Sequence, residues 1–103
     1  MRLTITADDK RVCVDGVCYD DCNMTLLDSA IHAVQWYEQY GEIEYKPVFQ
    51  DGQITKPQNE IITDVTPYQW AVDAWNTVKA AEEAAIAAAE AEAAQNQPVG
   101  SGT

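Results

Sequence analysis

Three cysteines and a single histidine are the side chains in this sequence best suited to nucleophilic, redox or metal chemistry. Asp15-Gly16 stands between two runs that alternate apolar and polar residues, which predicts a hairpin with a two-residue turn. Such a turn places Cys13 opposite Cys18, within reach of a cross-strand disulfide. Because nothing in the sequence indicates an oxidising compartment, we predict that these two cysteines and Cys22 are free thiols, with the disulfide or a redox pair as the alternative.

A metal site or a catalytic centre is not expected from the remaining polar residues. The three cysteines and His32 are separated by four, three and nine residues, a spacing that matches no structural zinc pattern. Asp20, Asp21 and Asn23 lack the glycine and the closing glutamate of a calcium-binding loop. The sequence has no phosphate-binding glycine loop, nucleophile elbow or paired-histidine motif. We predict a protein that is not an enzyme and that holds no metal or cofactor.

The charge balance narrows the range of partners. Seventeen acidic and six basic residues give a formal net charge of −11 and a pI near 4.1, which disfavours binding to nucleic acid or to an anionic membrane surface. No stretch reaches the roughly eighteen uncharged apolar residues that a bilayer span requires, and the first residues lack the pattern of a secretion signal. We therefore expect protein partners and synthesis in a cytosol-like compartment.

The elements that must position these residues begin with a strand and a hairpin. Residues 2–6 alternate apolar and polar side chains, as a strand with one buried face does. In the hairpin around Asp15-Gly16 the valines share one face with Tyr19, while Arg11 and Asp20 form an opposite-charge pair on the other face.

A second hairpin is predicted from residues 31–37 and 42–46, joined by a four-residue loop that ends at Gly41. This loop length aligns one apolar stripe, with Trp36 opposite Ile43 and Val34 opposite Tyr45. Residues 48–60 are rich in turn formers, with a brief pairing of 48–49 and 53–55. Together these segments predict an antiparallel sheet of four or five strands within residues 1–62.

A long helix follows the sheet, from residue 66 to about residue 95. Thr66 as N-cap, Pro67 in the first position and Gln69 three residues after the cap form a capping box. The first half carries large residues at helical spacing that can cover the sheet, namely Tyr68, Ala71, Val72, Trp75 and Val78. We predict an α+β fold with a head over 1–79, whose helix start is 66–79, a helical extension over 80–95 and a flexible tail over 96–103.

The helical extension has almost no large side chain to bury. Ten of the fifteen residues from Ala80 to Ala94 are alanine, four are glutamate and one is Ile86. At 1.5 Å per residue the helix is about 42 Å long, whereas a compact head of about 65 residues is roughly 28 Å across, so about three turns must overhang. We predict that this overhang packs against copies of itself or against helices of another protein. The predicted contacts are Ala81, Ala85, Ile86, Ala88, Ala89 and Glu92 in the helix, and Tyr37 and Tyr40 in the head.

Aromatic residues are concentrated in the middle of the chain, where eight of the nine lie between Trp36 and Trp75. Such a set could stack on sugars as a small binding module, but large aromatic residues more often fill a core, which is the interpretation we favour. Tyr37 and Tyr40, beside a loop, are the ones expected at an interface.

Several short segments resemble small tail-region proteins of tailed bacteriophages, over roughly residues 31 to 80. The segments are His32–Tyr37, Gly41–Tyr45, Ile62–Gln69 and Asp73–Trp75. The resemblance implies a non-enzymatic structural protein of the virion, located in the tail or at the tail fibres and made in the host cytoplasm. A fibre-assembly chaperone that does not stay in the virion is the alternative, and a capsid decoration protein or small binding module is the second.

Overall fold

The computed structural model describes residues 1–96, and over that range eight strands and one long helix form an α+β fold. The strands are β1 (Arg2–Thr6), β2 (Arg11–Val14), β3 (Val17–Tyr19), β4 (Ile31–Tyr37), β5 (Gly41–Tyr45), β6 (Val48–Gln50), β7 (Gln53–Thr55) and β8 (Glu60–Ile62). A 3₁₀ turn (Thr66–Tyr68) leads into α1 (Gln69–Asn96). The tail predicted over 96–103 lies outside the described residues, apart from Asn96, with which α1 ends.

The main sheet is antiparallel and has six strands in the order β3-β2-β1-β4-β5-β8, while β6 and β7 pair with each other as a separate two-stranded sheet. The predicted fold class is confirmed, and so is the pairing of 48–49 with 53–55. The expected number of strands was too small because β8 was missed. Its three residues are too few to show alternation, and they become a strand only because they pair with β5.

The first hairpin has the predicted register, with Cys13 opposite Cys18 and Val14 opposite Val17. Asp15 and Gly16 both have positive φ, 49° and 87°, as a type I′ turn requires. The predicted charge pair is also present, because the Arg11 Nε donates a hydrogen bond of 2.6 Å to the Asp20 Oδ1.

The predicted register of the second hairpin is wrong by two residues. Trp36 lies opposite Gly41 and Val34 opposite Ile43, and a bulge between Ile31 and Ala33 brings Ile31 opposite Tyr45. The loop is one residue shorter than predicted, and Glu38 within it has a positive φ of 82°. Gly41 is instead a strand residue, and a Cβ there would collide with the Gln35 carbonyl oxygen beside Trp36. The buried face is unchanged because a shift of two residues preserves the alternation of a strand.

One face of the sheet forms the core, and α1 covers it over β2 and β3. The fully buried sheet residues are Leu3, Ile5, Val12 and Val34, with Trp36 and Ile43 almost fully buried beside them. The helix contributes Ala71 and Trp75. The Trp75 Nε1 donates a hydrogen bond of 2.8 Å to the Val17 carbonyl, which ties the helix to the first hairpin.

The predicted capping box does not form. Thr66 begins the 3₁₀ turn, and the residue at its N-cap is Val65, whose side chain makes no capping hydrogen bond. The Asp64 Oδ1 accepts a hydrogen bond of 2.9 Å from the Thr66 backbone N–H, so the carboxylate two residues earlier satisfies this donor. This bond forms an Asx-turn just before the 3₁₀ turn, and α1 begins after that turn, at Gln69.

Candidate protein-docking site

The prediction of three free thiols is wrong for Cys13 and Cys18 and confirmed for Cys22. Cys13 and Cys18 form a disulfide across the first hairpin. Their opposed positions were predicted, but the choice between thiols and disulfide was made from the expected compartment and not from the geometry. Cys22 is a free thiol, buried in the core, where its Sγ donates to the Tyr19 carbonyl over 3.4 Å. Burial raises the pKa of the Cys22 thiol, which disfavours the reactive thiolate.

The other residues considered for chemistry lie apart. His32 is partly exposed on β4, and its Nδ1 is 3.8 Å from the Asp8 carboxylate. Asn23 uses its side-chain oxygen to accept hydrogen bonds from the Thr25 backbone N–H and hydroxyl, at 2.9 and 2.8 Å. Among residues 1–96, no three His, Cys, Asp or Glu side chains converge as metal ligands would. Over the same residues no helix has the length and apolar character to cross a bilayer.

The longest unbroken exposed stretch of the described chain is the second half of α1. Every residue from Ala80 to Gln95 is solvent-exposed, and Ile86 is 50% exposed. The head side of the same helix is packed against the sheet as far as Val78. The second half of α1 therefore extends beyond the sheet, and within residues 1–96 it packs against no other element.

The six predicted helix contacts lie on two neighbouring faces of α1. Ala81, Ala85, Ala88 and Glu92 follow one another in steps of three and four residues, so they share one face. Ile86 and Ala89 lie on the continuation of the face that packs on the sheet through Trp75 and Val78. The same step of three or four residues continues the first face toward the head through Thr77, Ala74 and Trp70.

At this head end, α1 and the loop over residues 20–30 enclose an open groove of about 450 Å³. Its helix side is formed by Trp70, Asp73, Ala74, Thr77 and Val78, and its loop side by Asp21, Asn23, Thr25 and Leu26. A volume in this range is typical of sites that receive a small ligand or a cluster of side chains.

The loop side of the groove is held in place by backbone hydrogen bonds. The Cys22 N–H donates to the Lys10 carbonyl over 2.9 Å, and the Leu27 N–H donates to the Met24 carbonyl over 3.0 Å. Cys22 itself is buried in the core. The groove is therefore formed in the isolated chain. The groove was not predicted from the sequence, because Trp70 and residues 21–26 come together only through this folded loop.

The two predicted head contacts are neighbours at one end of β4. The rings of Tyr37 and Tyr40 are 5.3 Å apart, and Tyr40 is 49% exposed in the turn before β5. The Arg2 guanidinium lies 5.6 Å from the centre of the Tyr37 ring, and the Tyr37 hydroxyl donates to the Gln35 Oε1 over 3.1 Å. The structure thus brings the two tyrosines together as one aromatic surface.

The hairpin of β6 and β7 forms another exposed apolar surface, to which sequence analysis assigned no role. Phe49 and Ile54 lie opposite each other and are 76% and 68% exposed. An isolated two-stranded hairpin is only marginally stable in water. Its apolar pair had a sequence signal, since both residues flank Asp51-Gly52 in the pattern of the first hairpin.

Comparison of this chain with models of protein families, with curated proteins and with solved structures gives no match.

Proposed function

We propose that this protein is a non-enzymatic assembly protein whose exposed helix packs against a helix of another protein chain. The exposure of α1 from Ala80 to Gln95 supports the proposal most directly. Isolated helices of this length are marginal in water, and most helical stability in proteins comes from packing an apolar face. A partner helix that approaches the alanine face closely would supply that packing.

The head supports the same role through a second contact region. Tyr37 and Tyr40 present paired rings beside a loop, and large aromatic side chains are enriched at interfaces. We propose that this surface fixes the head on the assembly while the helix binds the neighbouring component.

On the strength of the sequence resemblance to phage tail-region proteins, we propose that it serves as a structural protein of the tail or tail fibre in a tailed-phage particle. The protein would be made in the host cytoplasm and would stay in the virion. A fibre-assembly chaperone would use the same surfaces but leave the particle, so mass spectrometry of purified particles separates the two functions. A structural protein is found in the particles, whereas a chaperone is found only in the lysate.

A pair of full-length variants tests the helix contact. Ala85→Glu with Ala88→Glu places charge on the predicted contact face, while Ala87→Glu with Ala94→Glu adds equal charge on the far side of α1. We expect the first variant to lose association with the particle, or with the nascent fibre for a chaperone, and the second to retain it. Equal association of both variants would contradict the proposal. Light scattering of the purified chain shows separately whether it also binds copies of itself.

A further inference from the structure

The groove at the head end of α1 lies on the same helix face as the predicted partner contacts. Trp70, Ala74 and Thr77 line the groove, and Ala81 and Ala88 continue that face along the overhang. A partner segment that packs on the overhang would therefore reach the groove at its head end.

The groove combines an apolar floor with an acidic rim. Trp70, Ala74 and Val78, which form the floor, are half-buried and pack against the hydrophobic core. Asp21 and Asp73 stand on opposite sides, and no lysine or arginine is among the residues that line the groove. Lys10 borders the smaller depression on the far side of Asp21, but no basic residue of 1–96 forms an ion pair with either carboxylate.

We propose that this groove receives an arginine side chain from a basic, helical segment of the partner protein. An arginine has an aliphatic stem for the apolar floor, a planar head for the Trp70 ring and five N–H donors for the two carboxylates. The proposal rests on the proposed function, because it names the chemistry of the partner that the exposed helix face receives.

Charge distinguishes this partner from a second copy of the chain. The described part of the overhang carries Glu82, Glu83, Glu90 and Glu92 and no basic residue from Ala80 to Gln95. A second overhang laid along the groove would bring these glutamates toward Asp21 and Asp73, and like charges in contact are destabilising. A basic segment would instead meet Asp21 and Asp73 at the groove and Glu92 on the same face of the overhang.

A peptide titration of the full-length chain, followed by NMR, tests the proposal. The probe is a blocked peptide of repeated Ala-Leu-Arg units, and its twin carries citrulline, which has nearly the same shape without the charge, in place of every arginine. We expect the arginine peptide to shift the Trp70 indole resonance and the backbone amides of 21–26 and 73–78. It should bind about tenfold more tightly than the citrulline peptide, because the charge-assisted contacts are lost in the twin.

Matched variants locate the binding site. Asp21→Asn and Asp73→Asn should each weaken the arginine peptide about three- to fivefold, while Asp51→Asn removes the same charge from an exposed turn and should leave binding unchanged. The proposal is overturned if both peptides bind equally, if Asp51→Asn has the same effect as Asp21→Asn, or if no resonance of the groove shifts. Concentration-dependent shifts of the groove without peptide would also overturn it, because they would identify a second copy as the occupant.

The outcome is separable from that of the proposed function. If the peptide binds at the groove and the Ala85→Glu, Ala88→Glu variant still associates normally, the proposed helix contact is refuted and the arginine site is not. If that variant loses association but the peptide does not bind, the arginine site is refuted and the helix contact is not.

Discussion

The hairpins β2–β3 and β6–β7 have the same turn residues but different structural surroundings. Both turn through Asp-Gly with positive φ at each residue, 49° and 87° at Asp15-Gly16 and 52° and 77° at Asp51-Gly52. The first hairpin pairs with β1, carries the Cys13–Cys18 disulfide and lies under α1. The second pairs with no other strand of the described chain and is exposed along its length.

The difference shows which properties of a hairpin are set by its own residues and which depend on the rest of the fold. The turn residues set the register of both, because a type I′ turn matches the twist of the strands that it joins. The burial of the hairpin's side chains depends on other elements, since Val12 is fully buried only because β1 and α1 pack against it. We infer that the first hairpin unfolds with the whole domain and that the second opens by itself at low cost.

The largest expected contrast comes from the same substitution in both hairpins. Val12→Ala removes two methyl groups from a fully buried site and should lower the free energy of unfolding by about 2 to 3 kcal/mol, through lost transfer energy and a cavity. Val48→Ala, at a site that is 48% exposed, should change it by less than about 0.5 kcal/mol. Urea denaturation measures both, and equal losses would contradict the independence of the second hairpin.

The disulfide gives the next contrast. Replacing Cys13 and Cys18 by serine opens a cross-link between residues five apart in sequence, and the chain-entropy estimate for so short a loop is a loss of about 2 kcal/mol. A reductant should destabilise the wild-type protein to a similar extent and leave the double variant unaffected. Wild-type stability that does not respond to the reductant would contradict this prediction.

A disulfide introduced into the second hairpin extends this comparison. Phe49 and Ile54 occupy the same positions relative to their turn as Cys13 and Cys18 do. The variant with Phe49→Cys and Ile54→Cys should therefore form a disulfide that protects the local amides from hydrogen exchange. Global stability should stay unchanged, because this hairpin does not take part in the cooperative core.

The features that could be predicted from the sequence are those determined by residues close together in the chain. Asp15-Gly16 was sufficient for a register in which Val14 meets Val17, and alanine content was sufficient for the long helix and its overhang. The β4–β5 register failed because the left-handed position of its turn is taken by Glu38, a residue type that gives no such signal, while Gly41 is a strand residue against Trp36.

The surfaces of the candidate docking site were predicted in part, for the same reason. The exposed face of the helix follows from residue spacing alone, whereas the groove depends on how residues 20–30 fold back against Trp70. That loop has no periodic pattern, and its position is set by Cys22 in the core and by the bond from its N–H to the Lys10 carbonyl. A buried cysteine inside a polar loop was the signal that this segment packs.

Glycine substitutions should give a smaller effect with the same contrast. Alanine at either turn glycine must adopt a left-handed conformation, which costs about 1 to 2 kcal/mol locally. Gly16→Ala should therefore lower global stability by about 1 kcal/mol. Gly52→Ala should leave the denaturation midpoint unchanged and weaken only the cross-strand NMR contact between Phe49 and Ile54. A shared shift in midpoint would show that both hairpins belong to one cooperative unit.

The smallest effect concerns the charged pair that closes the first hairpin. The hydrogen bond from Arg11 lowers the pKa of Asp20, so the folded state favours the ionised carboxylate more than the unfolded state does. This contribution is present above the unfolded pKa and disappears as the pH falls through the lower folded value. Arg11→Gln should raise the pKa of Asp20 in an NMR titration, and its stability deficit should vanish in acid.

The equivalent positions of the second hairpin provide the control. Pro47 and Lys56 stand where Arg11 and Asp20 stand in the first, and the Lys56 Nζ bonds instead to the Glu44 Oε1 on β5 at 3.1 Å. Lys56→Gln should therefore leave the Asp20 titration and its pH dependence unchanged. If it altered them, the two hairpins would be electrostatically coupled through the sheet. Since both ion pairs are exposed and screened by salt, 1 M salt should reduce the effect of Arg11→Gln while the contrast at Val12 persists.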